Sequence, residues 1–91
     1  MRIYKYILPR FSAGVYFKEM PVGAKIISCG VQGVQIVLWA EVDPEADSQE
    51  VKKIILRPTG QDFDKEENEV FIGTVGIGIH VPFGIHVYEG K

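Results

Sequence analysis

Apolar and polar residues alternate most regularly between residues 34 and 44, which read Val-Gln-Ile-Val-Leu-Trp-Ala-Glu-Val-Asp-Pro. The even positions from 34 to 42 are all apolar, whereas the odd positions mix polar residues with Val37 and Trp39. A period of two predicts a β-strand, because successive side chains of a strand point to opposite faces of the sheet. One face of this strand is therefore expected to form core. The other face carries Trp39, the only tryptophan of the chain.

The segment before this strand is predicted to pair with it as a β-hairpin. Gln32 and Gly33 fit a two-residue loop, since glycine supplies the positive φ that tight hairpin turns require. This loop puts apolar residues opposite one another on the core face, so that turn and pattern agree. The predicted register pairs Val31 with Val34, Cys29 with Ile36 and Ile27 with Leu38 on that face, and Ile26 with Trp39 and Ser28 with Val37 on the other.

The other hydrophobic segments predict further short strands, separated by proline and glycine turns. With the hairpin, the predicted strands span residues 2–8, 14–20, 24–31, 34–44, 50–57, 70–75 and 83–89. Turns are expected at 9–14 and 78–82, and the acidic segment 61–69 is read as a long loop or a short helix. Seven short strands without a long helical period predict one all-β domain over residues 1–91. It would be a small antiparallel β-sandwich or a partly open barrel.

Length and composition favour a small intracellular protein. A domain of 91 residues buries a modest core, and self-association is an easy way to bury more surface, so a homo-oligomer is expected. No apolar run is long enough to cross a bilayer, and the first residues lack the apolar core of a signal peptide. A single cysteine, Cys29, excludes an internal disulfide. These features predict a cytoplasmic location, without membrane contact.

Charge is distributed unevenly along the chain. Residues 1–40 hold five basic residues and one acidic residue, whereas residues 41–91 hold five basic and eleven acidic residues. A nucleic-acid-binding protein usually presents a stronger basic stripe, so nucleic acid is not expected as a partner. The basic first half is still suited to holding a small anion.

Catalytic and metal-binding patterns are missing from the sequence. No serine lies in a Gly-x-Ser-x-Gly elbow, and two histidines without matched cysteines or carboxylates make a poor metal site. The acidic segment 62–69 lacks the spacing of a calcium loop, and no helix follows Gly76-Ile77-Gly78 to complete a dinucleotide-binding motif. We therefore expect no enzyme, no catalytic residue, no metal and no cofactor. For His80 and His86, hydrogen bonding to a ligand is a better functional hypothesis than metal binding.

Several stretches, taken together and in order, resemble a known family. They are Ile3-Tyr4-Lys5-Tyr6, Met20-Pro21-Val22-Gly23-Ala24-Lys25-Ile26, Leu38-Trp39-Ala40-Glu41-Val42-Asp43-Pro44, Thr59-Gly60, Phe71-Ile72-Gly73-Thr74 and His86-Val87-Tyr88-Glu89. The chain resembles an uncharacterised family of small phage- and prophage-encoded all-β proteins, classed as a domain of unknown function. It departs from the usual pattern at Arg57-Pro58 and in its glycine-rich final hairpin. The resemblance implies a phage origin and the cytoplasm of a bacterial host cell.

Two functional hypotheses follow from this origin and from the residues. The first is a non-catalytic anti-defence protein that sequesters a small anionic, nucleotide-type signalling ligand of host defence. A base would stack on Trp39, and basic side chains would pair with phosphate. The expected ligand-binding residues are Tyr4, Lys5, Trp39, Arg57 and His86, with Arg10 as a further candidate for phosphate. The second is a structural or protein-interaction accessory module, either a virion accessory or a host-protein inhibitor, with Val37 and Trp39 as its contact patch.

Overall fold

The computed structural model describes residues 1–8, 13–77 and 83–91. The predicted turn at 78–82, most of the turn at 9–14, and the candidates Arg10 and His80 lie outside the described residues.

Seven strands form two antiparallel sheets. The strands are β1 (Arg2–Ile7), β2 (Gly14–Pro21), β3 (Lys25–Gln32), β4 (Gln35–Val42), β5 (Gln49–Pro58), β6 (Val70–Ile77) and β7 (Phe83–Glu89). Sheet A has the order β1-β4-β3, and sheet B has the order β2-β5-β7-β6. The described residues contain no helix, and neither sheet closes into a barrel. The predicted all-β antiparallel fold is confirmed, in its sandwich form.

Strand β4 lies at the centre of sheet A, between β1 and β3. Ile36, Leu38, Ala40 and Val42 are all fully buried, so the even face of the strand is core. Val34 is the exception, because it lies in the turn before β4 and is exposed. On the opposite face Val37 is also fully buried. The prediction that Val37 and Trp39 form a contact patch is therefore wrong for Val37.

The hairpin of β3 and β4 forms with a register two residues away from the prediction. Gln32 pairs with Gln35, and Cys29 lies opposite Leu38 instead of Ile36. The two-residue loop is therefore Gly33-Val34, with Gly33 at a positive φ of 62°. A shift of two residues keeps every side chain on its predicted face, so the hydrophobic pattern alone does not exclude it.

A β-bulge in β3 changes the second half of this pairing. The register shifts between Ile26 and Ser28, which leaves Ile27 without a partner and exposed. Ile26 then lies opposite Ala40 and is buried, whereas the prediction placed it opposite Trp39. An extra residue in one strand reverses the alternation beyond it, and for this reason Ile27 does not face the core.

The core lies between the two sheets. Sheet A contributes Leu8, Ile26, Ile36, Leu38, Ala40 and Val42, and sheet B contributes Met20, Ile54, Leu56, Val75, Ile85 and Val87. At one side of the sandwich β3 and β6 come together, and a Cβ on Gly73 would lie only 2.9 Å from Cys29 Sγ. Cys29 is partly buried there, and this burial raises the pKa of its thiol. Because β3 and β6 are the edge strands that meet, the opposite edge strands of the two sheets, β1 and β2, end the sheets at the other side.

Candidate functional site

The five predicted ligand-binding residues are divided between the two sheets. Arg57 and His86 are directly opposite one another on β5 and β7, on the face of sheet B that points away from sheet A. Lys5 and Trp39 are opposite one another on the corresponding outer face of sheet A. Tyr4 precedes Lys5 in β1, so its side chain points to the other face of that sheet. The structure therefore brings four of these residues together as two separate pairs and leaves Tyr4 apart from both.

Arg57 is held by an acidic partner within the chain. Its guanidinium donates two hydrogen bonds to the carboxylate of Glu69, at 2.6 and 2.8 Å. The side chain of Glu69 is fully covered and that of Arg57 is 10% exposed. The hydrogen bonds from Arg57 lower the pKa of Glu69 to about 2. Sequence reasoning missed this partner, and Arg57 is engaged with it instead of being free for a phosphate.

Aromatic rings enclose the guanidinium of Arg57. The ring of Phe63 lies 3.9 Å from the guanidinium carbon and that of Tyr88 lies 4.7 Å away, both within the range of cation–π attraction. Phe71 packs edge-on against Tyr88, with ring centroids 5.4 Å apart. We call Arg57, Glu69, Phe63, Tyr88 and Phe71 the arginine–aromatic cluster. It ties the loop of residues 61–69 to the outer face of sheet B.

A second ion pair fastens the same loop. Lys53, on β5, donates to both carboxylate oxygens of Glu66 at 2.9 Å. The backbone N–H of Glu66 in turn donates to Glu69, at 2.8 Å. The segment predicted as a long loop or a short helix is thus a loop with two of its carboxylates directed at basic residues of β5.

Three polar side chains line up across the end of the same sheet. His86 Nε2 lies 2.7 Å from Thr59 Oγ1, and His86 Nδ1 lies 2.9 Å from Thr74 Oγ1. Thr59 and Thr74 are exposed, so each hydroxyl can make a further hydrogen bond with a partner molecule. Gly84 makes room for this Thr–His–Thr row, since a Cβ there would lie 2.8 Å from Thr59 Oγ1.

The Thr–His–Thr row joins stretches that are distant in the sequence. Thr59 follows β5, His86 belongs to β7 and Thr74 belongs to β6. Only His86 was among the predicted site residues. The available signal for the two threonines was the resemblance, because Thr59-Gly60, the stretch ending at Thr74 and the stretch beginning at His86 are three of the segments that carry it.

The pair on sheet A has its own contacts. Lys5 Nζ donates to Gln32 Oε1 at 2.8 Å. Trp39 is partly buried, and its ring covers Gly30, where a Cβ would lie 3.0 Å from ring carbon Cζ3. This close fit fixes the position of the indole over the backbone of β3.

Other kinds of site are missing from the part of the chain that the structure describes. Residues 1–8, 13–77 and 83–91 form no enclosed pocket. They also contain no group of three or more His, Cys, Asp or Glu side chains that is placed to hold a metal ion. None of the chain described by the structure forms a helix able to span a membrane.

Comparison with other proteins identifies the family. Searches among curated proteins and among solved structures each give no match. A family model described as "Domain of unknown function (DUF7352)" matches residues 1–91, which includes every stretch named in the resemblance. The chain therefore belongs to the family described as Domain of unknown function (DUF7352).

Proposed function

We propose that this chain is a non-catalytic protein-interaction module, which docks on a basic protein surface through the outer face of sheet B. The observation that carries this proposal is the exposure of two aromatic rings on a surface that ion pairs hold in place. Phe63 is 49% exposed and Phe71 is 55% exposed, although both belong to the arginine–aromatic cluster and pack against Tyr88. Aromatic and arginine side chains are enriched at the centres of protein interfaces.

Acidic residues flank Phe63 along the loop. Asp62, Asp64 and Glu67 are exposed, and they make no hydrogen bond or ion pair with any residue that the structure describes. A rim of side chains with one sign of charge speeds association with a surface of the opposite charge and disfavours other partners. The charge of the rim therefore points to a basic partner surface, and the Thr–His–Thr row supplies hydrogen-bonding groups next to the arginine–aromatic cluster on the same face.

Capture from a bacterial lysate tests this proposal when specific variants are compared. The wild-type protein is expected to retain a partner in a salt-sensitive manner. Asp62→Lys combined with Asp64→Lys is expected to lose that partner, because the rim then repels a basic surface. Phe71→Ala is expected to weaken binding by about tenfold, which is a common cost of truncating a central aromatic side chain. Quantitative mass spectrometry of the captured proteins measures both effects.

The matched control is Asp47→Lys, which reverses an exposed acidic residue in the connection between β4 and β5. This variant is expected to retain the partner like the wild type. If no captured protein distinguishes the wild type from the double lysine variant, or if the control loses the partner equally, the outer face of sheet B is not the docking surface.

A second candidate function is the sequestration of a small anionic nucleotide, and the pairing of Lys5 with Trp39 favours it. The two residues are cross-strand neighbours, so an amine and an aromatic ring lie next to one another on the outer face of sheet A. Such a pair suits a phosphate and a stacked base. Arg57 and His86 do not belong to this smaller site, because they lie on the other sheet.

Fluorescence of the only tryptophan tests the nucleotide hypothesis directly. Stacking of a base on Trp39 is expected to quench its emission and to raise the melting temperature, since ligand at a hundred times Kd adds about 2.7 kcal/mol of stability. Cyclic and ADP-ribose-type nucleotides are the panel, and Trp39→Phe is the control for the optical signal. Unchanged emission and melting temperature at saturating concentrations of every nucleotide would exclude this site.

We also propose that the protein is phage-encoded and acts in the cytoplasm of a bacterial host, as a host-protein inhibitor or a virion accessory. This proposal is supported by the sequence resemblance. Phage genes on both sides of the coding sequence would support it further, and housekeeping genes there would argue against it.

A further inference from the structure

Two strand edges are unpaired on the same side of the sandwich. β1 ends sheet A and β2 ends sheet B, and neither has a neighbour on its outer side among the described residues. The opposite edges, β3 and β6, lie against one another. An exposed edge presents a row of unpaired N–H and C=O groups, which readily pair with another strand.

Both free edges carry exposed apolar side chains on the outer faces of their sheets. Phe17 of β2 is 64% exposed and Val15 is also exposed. Ile3 and Ile7 of β1 are exposed in the same way. Exposed apolar side chains along an unpaired edge are typical of an assembly contact, because pairing with another strand buries them together with the backbone groups of the edge.

The charges on the two edge strands are complementary. Lys5 lies between Ile3 and Ile7 on the outer face of β1, and Glu19 follows Phe17 on the outer face of β2. The Lys5 ammonium donates to the neutral amide of Gln32 on β3, and an ion pair with a second copy would replace that hydrogen bond. Glu19 is exposed and makes no ion pair with the described residues. Each edge therefore presents one charge and apolar residues on the same face, with opposite signs on the two edges.

We propose that two copies of this chain form a twofold dimer, in which β1 of each copy pairs antiparallel with β2 of the other. Placing Lys5 opposite Glu19 of the second copy also places Ile7 opposite Phe17 of the second copy. A shift of two residues in either direction would put Lys5 opposite Phe17 or Pro21, and the ion pair would be lost. The ion pair between Lys5 and Glu19 and the apolar contact between Ile7 and Phe17 therefore both favour the same register.

The pairing is reciprocal and closes both edges at once. Because both free edges face the same side, the twofold axis that joins β1 to β2 of the second copy also joins β2 to β1 of the second copy. Sheet A of each copy then continues into sheet B of the other, as a sheet of seven strands. This inference does not depend on the proposed function, and it leaves the arginine–aromatic cluster on the surface.

A charge swap tests the dimer and its register together. By analytical ultracentrifugation, the wild-type protein is expected to be a dimer at micromolar concentration. Glu19→Lys and Lys5→Glu are each expected to raise the dimer dissociation constant at least tenfold, because like charges then face one another. Combining the two substitutions restores the attraction and is expected to recover most of the affinity. Lys91→Glu, which reverses an exposed basic residue beyond β7 and away from both free edges, is the control and is expected to stay dimeric.

A disulfide tests which residues face one another. In a Cys29→Ser background, Ile7→Cys combined with Phe17→Cys is expected to give a covalent dimer on mild oxidation, since opposite Cβ atoms lie within disulfide reach. Ile7→Cys combined with Val15→Cys is the out-of-register control and is expected to cross-link at least tenfold more slowly.

Some results would overturn the dimer. A wild-type protein that stays monomeric up to millimolar concentration would do so. A dimer that tolerates both single charge reversals would show that other surfaces associate. Faster cross-linking in the control than in the paired variant would reject the register.

Discussion

Replacing Arg57 with alanine is expected to lower the free energy of unfolding by about 3 kcal/mol. Glu69 accepts two hydrogen bonds from this guanidinium, and its side chain has no exposed surface. Removing one partner of a covered ion pair leaves the other charge without compensation, which typically costs about 3–5 kcal/mol. The lower end applies here because the pair lies on the outside of a sheet and water can partly replace the arginine. Urea denaturation followed by circular dichroism measures the loss.

Lys53→Ala is the matched control for this prediction. Lys53 also pairs with a carboxylate of the loop, but its partner Glu66 is half exposed. An ion pair of this kind contributes less than about 1 kcal/mol, so the control is expected to unfold almost like the wild type. Equal losses for the Arg57 and Lys53 variants would contradict a special role for the covered pair.

The dependence of stability on pH gives an independent check of the same pair. The pKa of Glu69 is lowered from 4.5 to about 2 in the folded protein. A group with a lowered folded-state pKa contributes stability above its unfolded pKa, and this stability is lost as pH falls toward the folded pKa. Wild-type stability is therefore expected to fall between pH 4.5 and pH 2. The Arg57→Ala variant should show a weaker decline in this interval, because its Glu69 no longer has the hydrogen bonds that lower the pKa.

Leu38→Ala is expected to destabilise the protein by about 3–4 kcal/mol. Leu38 is fully buried at the middle of β4, between Tyr6 of β1 and Cys29 of β3. Truncation removes buried methyl groups and leaves a cavity, and such changes in cores cost about 2–5 kcal/mol. The upper half of this range applies because strands on both sides of β4 prevent the site from collapsing. Thermal and urea unfolding measure the change.

Val34→Ala is the control for this prediction, because Val34 belongs to the same alternating hydrophobic pattern as Leu38. Val34 occupies an even position like Leu38, yet it lies in the turn and is 78% exposed. Its truncation is expected to change stability by less than about 0.5 kcal/mol. A comparable loss at both positions would mean that burial in β4 does not determine the cost.

The strands were predictable from the sequence, whereas their exact pairing was not. Alternation identified the buried face of β4 because side chains of a strand must point alternately in and out. The same alternation is unchanged by a slip of two residues, so the pairing of Cys29 with Leu38 was not available from the pattern. The bulge that turns Ile27 outward also has no signature in the hydrophobic pattern, because Ile26 and Ile27 are equally apolar.

The candidate site was harder to predict than the fold. Glu69 is one of several carboxylates in an acidic segment, and nothing local distinguishes it as the partner of Arg57. The row of Thr59, His86 and Thr74 depends on strand order, since β7 lies between β5 and β6 in the sheet although it follows both in the chain. Hydrophobic periodicity carries no information about such an order.

The contact between Gly73 and Cys29 gives the protein a built-in chemical reporter. Because Gly73 has no side chain, the thiol fits directly beneath the backbone of the neighbouring sheet. A raised pKa keeps most of the sulfur as unreactive thiol at neutral pH, and the neighbouring strand covers part of the side chain. Alkylation at Cys29 is therefore expected to become faster whenever β3 and β6 separate, so changes in this contact can be followed without an introduced label.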